Sequence, residues 1–258
     1  MENTVLEKFH QGRQSLGTFS AIGSPLAVES LRYTGLDYVI VDTEHSPAGI
    51  ESAAAQIAAA QGAGLTALAR ANEISRTAVL RLLDVGAQGV VVPCVETVEE
   101  VRELVRYAKF APLGNRGFCP TRDGGWGFDA ESLQGTEAYF ARCNRETLLL
   151  PQCETRGCLE HIEEITAMDG VDGIFVGPFD LSIALGHPGE FNAPVVHDAI
   201  LRVQAACKRS GKLSIIFTGS AAASRQRFAE GFDSVTLGMD SLFYVEMYKN
   251  LVADVWGK

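Results

Sequence analysis

Short apolar runs rich in β-branched residues recur along the chain, separated by longer stretches with apolar residues at helical spacing. The runs predict strands at Gly17–Ile22, Tyr38–Asp42, Thr66–Arg70, Gly89–Pro93, Thr147–Gln152, Gly173–Gly177, Leu213–Phe217 and Ser234–Gly238. The stretches between them predict helices at Glu51–Gln61, Ser75–Val85, Thr97–Lys109, Leu159–Met168, Pro194–Ser210, Ala221–Glu230 and Ser241–Val255. Ser75 ahead of "RTAVLRLLDVG" and Asp240 ahead of "SLFYVEMYKNLV" read as helix starts. Gly86, Gly211 and Gly231 read as helix stops.

Eight strands alternating with helices imply a parallel sheet with crossover helices, either closed or open. An open doubly wound sheet would carry a Gly-rich phosphate turn after its first strand, and "AIGSPLAVE" does not supply one. The expected fold is therefore a single (β/α)8 TIM barrel over residues 1–258, a length ordinary for that architecture. The segment "APLGNRGFCPTRDGGWGFDAESLQGTEAYFARCN" is surplus to the alternation. It predicts an extended excursion between strands 4 and 5 that covers one end of the barrel as a wall or lid.

Composition narrows the function. Hydrophobic residues at 47% and charged residues at 21% describe an ordinary soluble globular chain. A formal net charge of −10 leaves no basic face to neutralise phosphates, so no nucleic-acid partner is expected. The N-terminal "MENTVLEKFHQGRQSLG" has no apolar core of a secretory signal. No apolar run approaches the ~20 residues that span a bilayer, so no membrane partner is expected either. The six cysteines form no C-x-x-C and match no zinc spacing, which reads as reduced thiols in a cytoplasmic protein.

Function in such barrels gathers at the C-terminal ends of the strands. Those ends supply Asp42 with His45, then Arg70, then Gln152 with Glu154, then Asp180 after Gly177-Pro178. Singly, each has a plainer reading as a cap, a surface ion pair or a helix-dipole carboxylate. Together they place a base, a cation and two carboxylates at one end of one barrel. Glu154 and Asp180 make a sparse oxygen site suited to Mg²⁺ or Mn²⁺. In "FVGPFDLS", Gly177 and Pro178 force a turn, and the amides that follow lead into a helix start and can hold a substrate carboxylate. Arg70 offers fixed charge to a developing enolate, and His45, oriented by Asp42, is the candidate general base. Alternation turns Glu44 away from Asp42, and it is assigned no role. None of the six lysines ends a predicted strand, so no Schiff-base lysine and no pyridoxal phosphate is expected, nor any nicotinamide.

The stretches "VIVDTEHSP", "ALARANE", "LLDVGAQGVVVPCVETVEE", "APLGNRG", "LLPQCET", "GVDGIFVGPFDLSIALGHPG" and "VTLGMDSLF" resemble the HpcH/HpaI aldolase family of metal-dependent class II pyruvate aldolases. The resemblance implies a TIM barrel, a divalent metal (Mg²⁺, Mn²⁺ or Co²⁺) on Glu154 and Asp180, and His45 with Asp42 as the acid/base pair. It further implies Arg70 and Gln152 at the keto acid and the amides of Phe179 and Asp180 at its carboxylate. Pyruvate would lose a methyl proton to His45 through a metal-bound water, and the metal-held enolate would add to an aldehyde, giving a 4-hydroxy-2-oxo acid. Phe179 stands where the family usually has a small residue, and "GFCPTRDGGWGFD" is unlike the usual segment. Both are expected to border the substrate. The alternatives are a citrate-lyase β-like acyl-CoA lyase, an oxaloacetate decarboxylase and a non-catalytic barrel that binds 2-oxo acids. The apolar surplus of "DSLFYVEMYKNLVADVW" predicts a homo-oligomer contact over 241–256, and the resemblance implies dimers assembled into a hexamer.

Overall fold

The computed structural model describes residues 3–257. Its strands are β1 (Ser15–Ser20), β2 (Tyr38–Asp42), β3 (Thr66–Arg70), β4 (Gly89–Val92), β5 (Leu148–Cys153), β6 (Gly173–Val176), β7 (Leu213–Thr218) and β8 (Ser234–Met239). They pair in parallel in sequence order, and β8 closes onto β1. The helices are α1 (Thr4–His10), α2 (Pro25–Ser30), α3 (Ile50–Gly62), α4 (Arg76–Asp84), α5 (Val98–Ala108) and α6 (Thr136–Glu146). They continue with α7 (Arg156–Glu160), α8 (Ile162–Ala167), α9 (Pro178–Ala184), α10 (Pro194–Ser210), α11 (Ala221–Ala229) and α12 (Asp240–Trp256). The chain is thus a (β/α)8 barrel.

Most strand positions on both faces are buried, which is why the strands read as nearly unbroken apolar runs. Inward residues Phe19, Ile40, Leu68, Val91, Leu150, Phe175 and Ile215 fill the barrel, with Val5 of α1 in the same cluster. Outward residues such as Val39, Val41, Ala67, Ala69 and Val90 pack against the helices. Tyr38 is the largest of the fully buried inward side chains. A Cβ on its neighbour Gly17 would sit 2.3 Å from the Tyr38 ring, so only glycine fits there. The Tyr38 hydroxyl is satisfied inside the barrel by Ser234 and Thr236 of β8, at 3.0 and 2.8 Å.

Local signals explain the helix limits. Ser75 caps α4 by accepting the Ala78 amide, and Thr97 with Glu100 forms a reciprocal capping box on α5. Gly86, Gly211 and Gly231 all take positive φ just past helix ends. Asp240 differs from expectation: it is the first residue of α12, with Met239 as the cap. Its carboxylate instead accepts the amides of Ala21 and Ile22, tying the end of β1 to α12. The helix expected at Leu159–Met168 is two short helices, α7 and α8, with His161 at the junction.

The excursion between β4 and β5 does not cover the catalytic end. Helix α5 carries the chain back to the N-terminal end of the barrel, so the segment that follows it starts there. Arg122 reaches the Val85 carbonyl and Gln61, beside the turn into β4. Arg116 is buried between Asp84 and Asp123 and lies 4.7 Å over the Phe110 ring. Phe110, Phe118, Tyr139 and Phe140 form a separate aromatic cluster, with Phe110 and Phe140 stacked at 4.1 Å. "GFCPTRDGGWGFD" therefore folds as an outer layer, and none of it lines the cleft described below.

Candidate active site

Register puts two charged residues side by side at the barrel mouth. Asp42 ends β2, Arg70 ends β3, and they are paired partners in the sheet. Arg70 donates from Nε to Asp42 Oδ1 at 2.9 Å and from Nη2 to Oδ2 at 2.7 Å. This two-point contact is buried, and the guanidinium also lies 4.7 Å over the Phe19 ring. Burial alone would raise the Asp42 carboxyl, but the hydrogen bonds and charge of Arg70 outweigh it and hold the group below the usual carboxylate range. Asp42 Oδ1 also accepts the amides of Glu44 and His45, at 3.0 and 3.4 Å.

Those last contacts correct two expectations. Asp42 holds the main chain of His45 and the side chain of Arg70, and it does not meet the imidazole. Glu44 does not turn away. The chain leaves the extended conformation at Thr43, and Glu44 Oε2 comes within 3.2 Å of Arg70 Nη1 and 3.7 Å of His45 Nε2. Burial raises the Glu44 carboxyl, and the Arg70 field only partly offsets it. His45 stands on the loop after β2 with a largely exposed side chain, at the edge of the cleft.

Across the mouth, Glu154 follows β5. Its Oε1 accepts the Cys94 amide at 2.7 Å, and its Oε2 accepts from the Gln152 side-chain amide. Cys94 has φ +57°, a rare conformation for a residue with a side chain, and that conformation accompanies the amide's contact with Glu154. Burial pushes the Glu154 carboxyl up, more than these hydrogen bonds lower it, and the nearby Asp180 charge adds to the rise. Gly177 completes the recess: a Cβ there would lie 2.7 Å from Glu154 Oε2 and 3.0 Å from Gln152 Nε2. Gln152 Oε1 is buried without a hydrogen-bond partner.

Asp180 lies in the first turn of α9, after Pro178. The first bond inside that helix runs from the Leu181 amide to the Gly177 carbonyl at 3.0 Å. The amides of Phe179 and Asp180 therefore have no acceptor within the helix. The Phe179 ring is 55% exposed and meets Phe191 edge-on at 6.0 Å, so it packs at the rim of the cleft.

Among the described residues, no group of three or more His, Cys, Asp and Glu side chains is placed to hold a metal ion. Glu154 and Asp180 remain a two-carboxylate donor set beside a recess kept open by Gly177. That set fits a hard divalent cation completed by substrate and water oxygens. One cleft is lined by His45, Arg70, Gln152 and Asp180 together with Phe19, Phe175, Phe217 and Met239. Sequence reasoning missed Glu44, Cys94 and this aromatic lining. Inward alternation along β1, β6 and β7 was the signal that could have found Phe19, Phe175 and Phe217.

The profile of the HpcH/HpaI aldolase/citrate lyase family matches residues 15–246. A hydroxypyruvate/pyruvate aldolase of Rhizorhabdus wittichii is 32% identical and covers 98% of this chain and 98% of its own length. A 2-keto-3-deoxy-L-rhamnonate aldolase of Klebsiella pneumoniae is 32% identical over 92% of this chain and 86% of its own. A crystal structure of a HpcH/HpaI aldolase/citrate lyase family protein from Burkholderia cenocepacia superposes with a TM-score of 0.89 at 30% identity. It covers 98% of this chain and 99% of that one.

Proposed function

The chain belongs to the HpcH/HpaI aldolase/citrate lyase family, and from that premise we propose that this carbon–carbon lyase makes and cleaves 4-hydroxy-2-oxo acids from pyruvate and an aldehyde. The observation that carries this reading is the convergence on one cleft of Arg70, Gln152, Asp180 and His45, with Glu154 beside them. The amides of Phe179 and Asp180 bind the pyruvate carboxylate. Arg70, locked in place by Asp42, presents its positive charge to the oxygen that becomes an enolate. A divalent cation on Glu154 and Asp180 would supply Lewis acidity toward the oxygens of the keto acid.

His45 takes the methyl proton, the electron pair of that C–H bond becomes the enolate double bond, and the keto C=O π pair moves onto its oxygen. The enolate carbon then attacks the aldehyde carbon. The carbonyl electrons move to the aldehyde oxygen, which takes a proton from His45. Cleavage is the same sequence reversed. Glu44, between Arg70 and His45, ties the base to the cation. An acyl-CoA substrate is disfavoured by the lining, where Arg70 is the one Lys or Arg side chain among the described residues and already faces two carboxylates.

The test is exchange of pyruvate methyl protons in deuterated buffer, followed by NMR. Exchange should require added Mg²⁺, Mn²⁺ or Co²⁺ and stop with chelator. His45→Ala should slow it by about 10²–10⁴, the usual span of general acid–base catalysis. Borohydride with pyruvate should leave the protein mass unchanged. Exchange that survives exhaustive chelation, or a trapped pyruvyl-lysine, would refute the reading.

A further inference from the structure

The cleft has two chemically different halves. Asp42, Arg70, Gln152 and Glu154 come from the ends of β2, β3 and β5, and Asp180 follows β6. The other half is formed by β7, β8 and β1, which are neighbours in the closed barrel, and it meets the polar half where the Arg70 guanidinium lies over the Phe19 ring. It presents Phe217, Met239 and Phe19 to the cleft. Phe217 and Phe19 are 6.0 Å apart, and Phe19 meets Phe175 edge-on at 5.8 Å. Past Pro178, the Phe179–Phe191 pair extends apolar surface outward at the rim.

The polar groups at those three strand ends are already engaged. Thr218 Oγ1 pairs with Ser224 Oγ at 2.7 Å. Ser20 Oγ donates to Gln56 at 2.8 Å, and the Asp240 carboxylate accepts the Ala21 and Ile22 amides. Among the described residues, no Lys or Arg other than Arg70 lines the cleft.

Resting on the aldolase reading, we infer that this apolar half is the aldehyde subsite, and that it selects an uncharged aldehyde with an aliphatic or aromatic tail. An acidic tail would enter a mouth that already holds Asp42, Glu44, Glu154, Asp180 and the pyruvate carboxylate, where Arg70 is engaged by Asp42 and Glu44 and no further Lys or Arg among the described residues lines the cleft to receive it. A polyhydroxylated tail would give up water for Phe217 and Met239, leaving its hydroxyls unpaired. An apolar tail covers those side chains at no such cost.

The experiment compares 2-oxoheptanoate with 2-oxoheptanedioate, which share a chain length and differ in a terminal methyl against a carboxylate. Binding to the Mg²⁺-loaded protein is measured by titration calorimetry, and pyruvate proton exchange is followed separately. The monocarboxylate should bind at least about tenfold more tightly, the low end for hydrophobic-pocket discrimination. Phe217→Ser and, on the adjacent strand, Met239→Gln should each reduce that preference about tenfold. The same order should appear in turnover, with hexanal preferred over succinic semialdehyde. Equal or tighter binding of the dicarboxylate, with pyruvate exchange intact, would overturn the apolar subsite. Absent exchange with the preference intact would instead refute the lyase chemistry at this cleft, and with it the aldehyde role, while upholding the selection of apolar tails by this half. Failure of both 2-oxo acids to bind would overturn both.

Discussion

Arg70 is the residue on which stability and chemistry meet, and Arg70→Met is the informative perturbation. Methionine keeps most of the stem that packs beside Phe19 but removes the charge. It leaves Asp42, whose side chain is 2% exposed, as a buried carboxylate facing no cation. Breaking a buried pair by removing one partner costs about 3–5 kcal/mol, because the survivor keeps its desolvation penalty. At roughly 2–4 °C per kcal/mol for a chain of this size, the melting point should fall by about 6–20 °C. The pH dependence has a definite sign. In the native protein the Asp42 carboxyl is held below its ordinary value, so its contribution is present above that value and lost as pH falls through the lowered one. In the variant, burial without Arg70 raises the same group, and its penalty disappears as acid protonates it. The stability gap should therefore be widest near neutral pH and narrow on acidification.

The assay is urea unfolding followed by circular dichroism, with chelator present so that lost metal binding does not enter. A second variant, Asp42→Asn combined with Arg70→Met, separates pairing from packing. The asparagine side chain in that variant could still accept the Glu44 and His45 amides but carries no charge, so the double variant should recover at least half of the loss. Neither variant should support pyruvate exchange. An Arg70→Met protein as stable as the wild type, or a double variant with strictly additive losses, would refute the buried-pair account.

Gly17→Ala should destabilise the barrel by about 1–3 kcal/mol or more, since overpacking forces the Tyr38 ring out of its place; unfolding in urea measures it. Native alkylation read by mass spectrometry should modify Cys94 and Cys119 and spare the buried Cys143, Cys153, Cys158 and Cys207. Cys207, pushed up to about 12 chiefly by burial, should stay unreactive until the chain unfolds. Light scattering at micromolar concentration should report at least a dimer, because α12 has no buried residue while Tyr244, Leu251, Val252 and Trp256 are half-exposed or more. Leu251→Arg with Val255→Arg should shift it toward monomer. In Trp126→Phe, where Trp256 is the remaining tryptophan, emission should move to the red on dilution.

The fold is legible in the sequence where a strand ends on a change of chemistry. β2 and β3 match their expected limits, Tyr38–Asp42 and Thr66–Arg70, since each passes from apolar residues to one charge at the barrel mouth. β1 begins two residues before its expected start. Its Ser15, Thr18 and Ser20 interrupt the apolar run, although Ser15 and Thr18 bond to β8 within the barrel wall. The excursion departs from expectation for another reason. Glycine and aromatic content announce a structured loop but carry no direction, and direction follows from topology. A segment after a crossover helix begins at the end opposite the active site.

The candidate site shows where pattern reasoning stops. Period-two alternation predicts facing only while the backbone stays extended, and β2 stops being extended at its functional end. There Asp42 folds its own carboxylate over the next amides, an Asx-type turn that reverses the expected facing of Glu44. The result is a carboxylate–arginine–carboxylate array in which burial raises both acids and the shared cation overcomes that rise only at Asp42. Asp42 receives two aligned hydrogen bonds from Arg70, while Glu44 meets its remaining nitrogen without hydrogen-bond alignment. The aspartate therefore fixes the arginine in place. The glutamate, without an aligned hydrogen bond, stands between that arginine and His45.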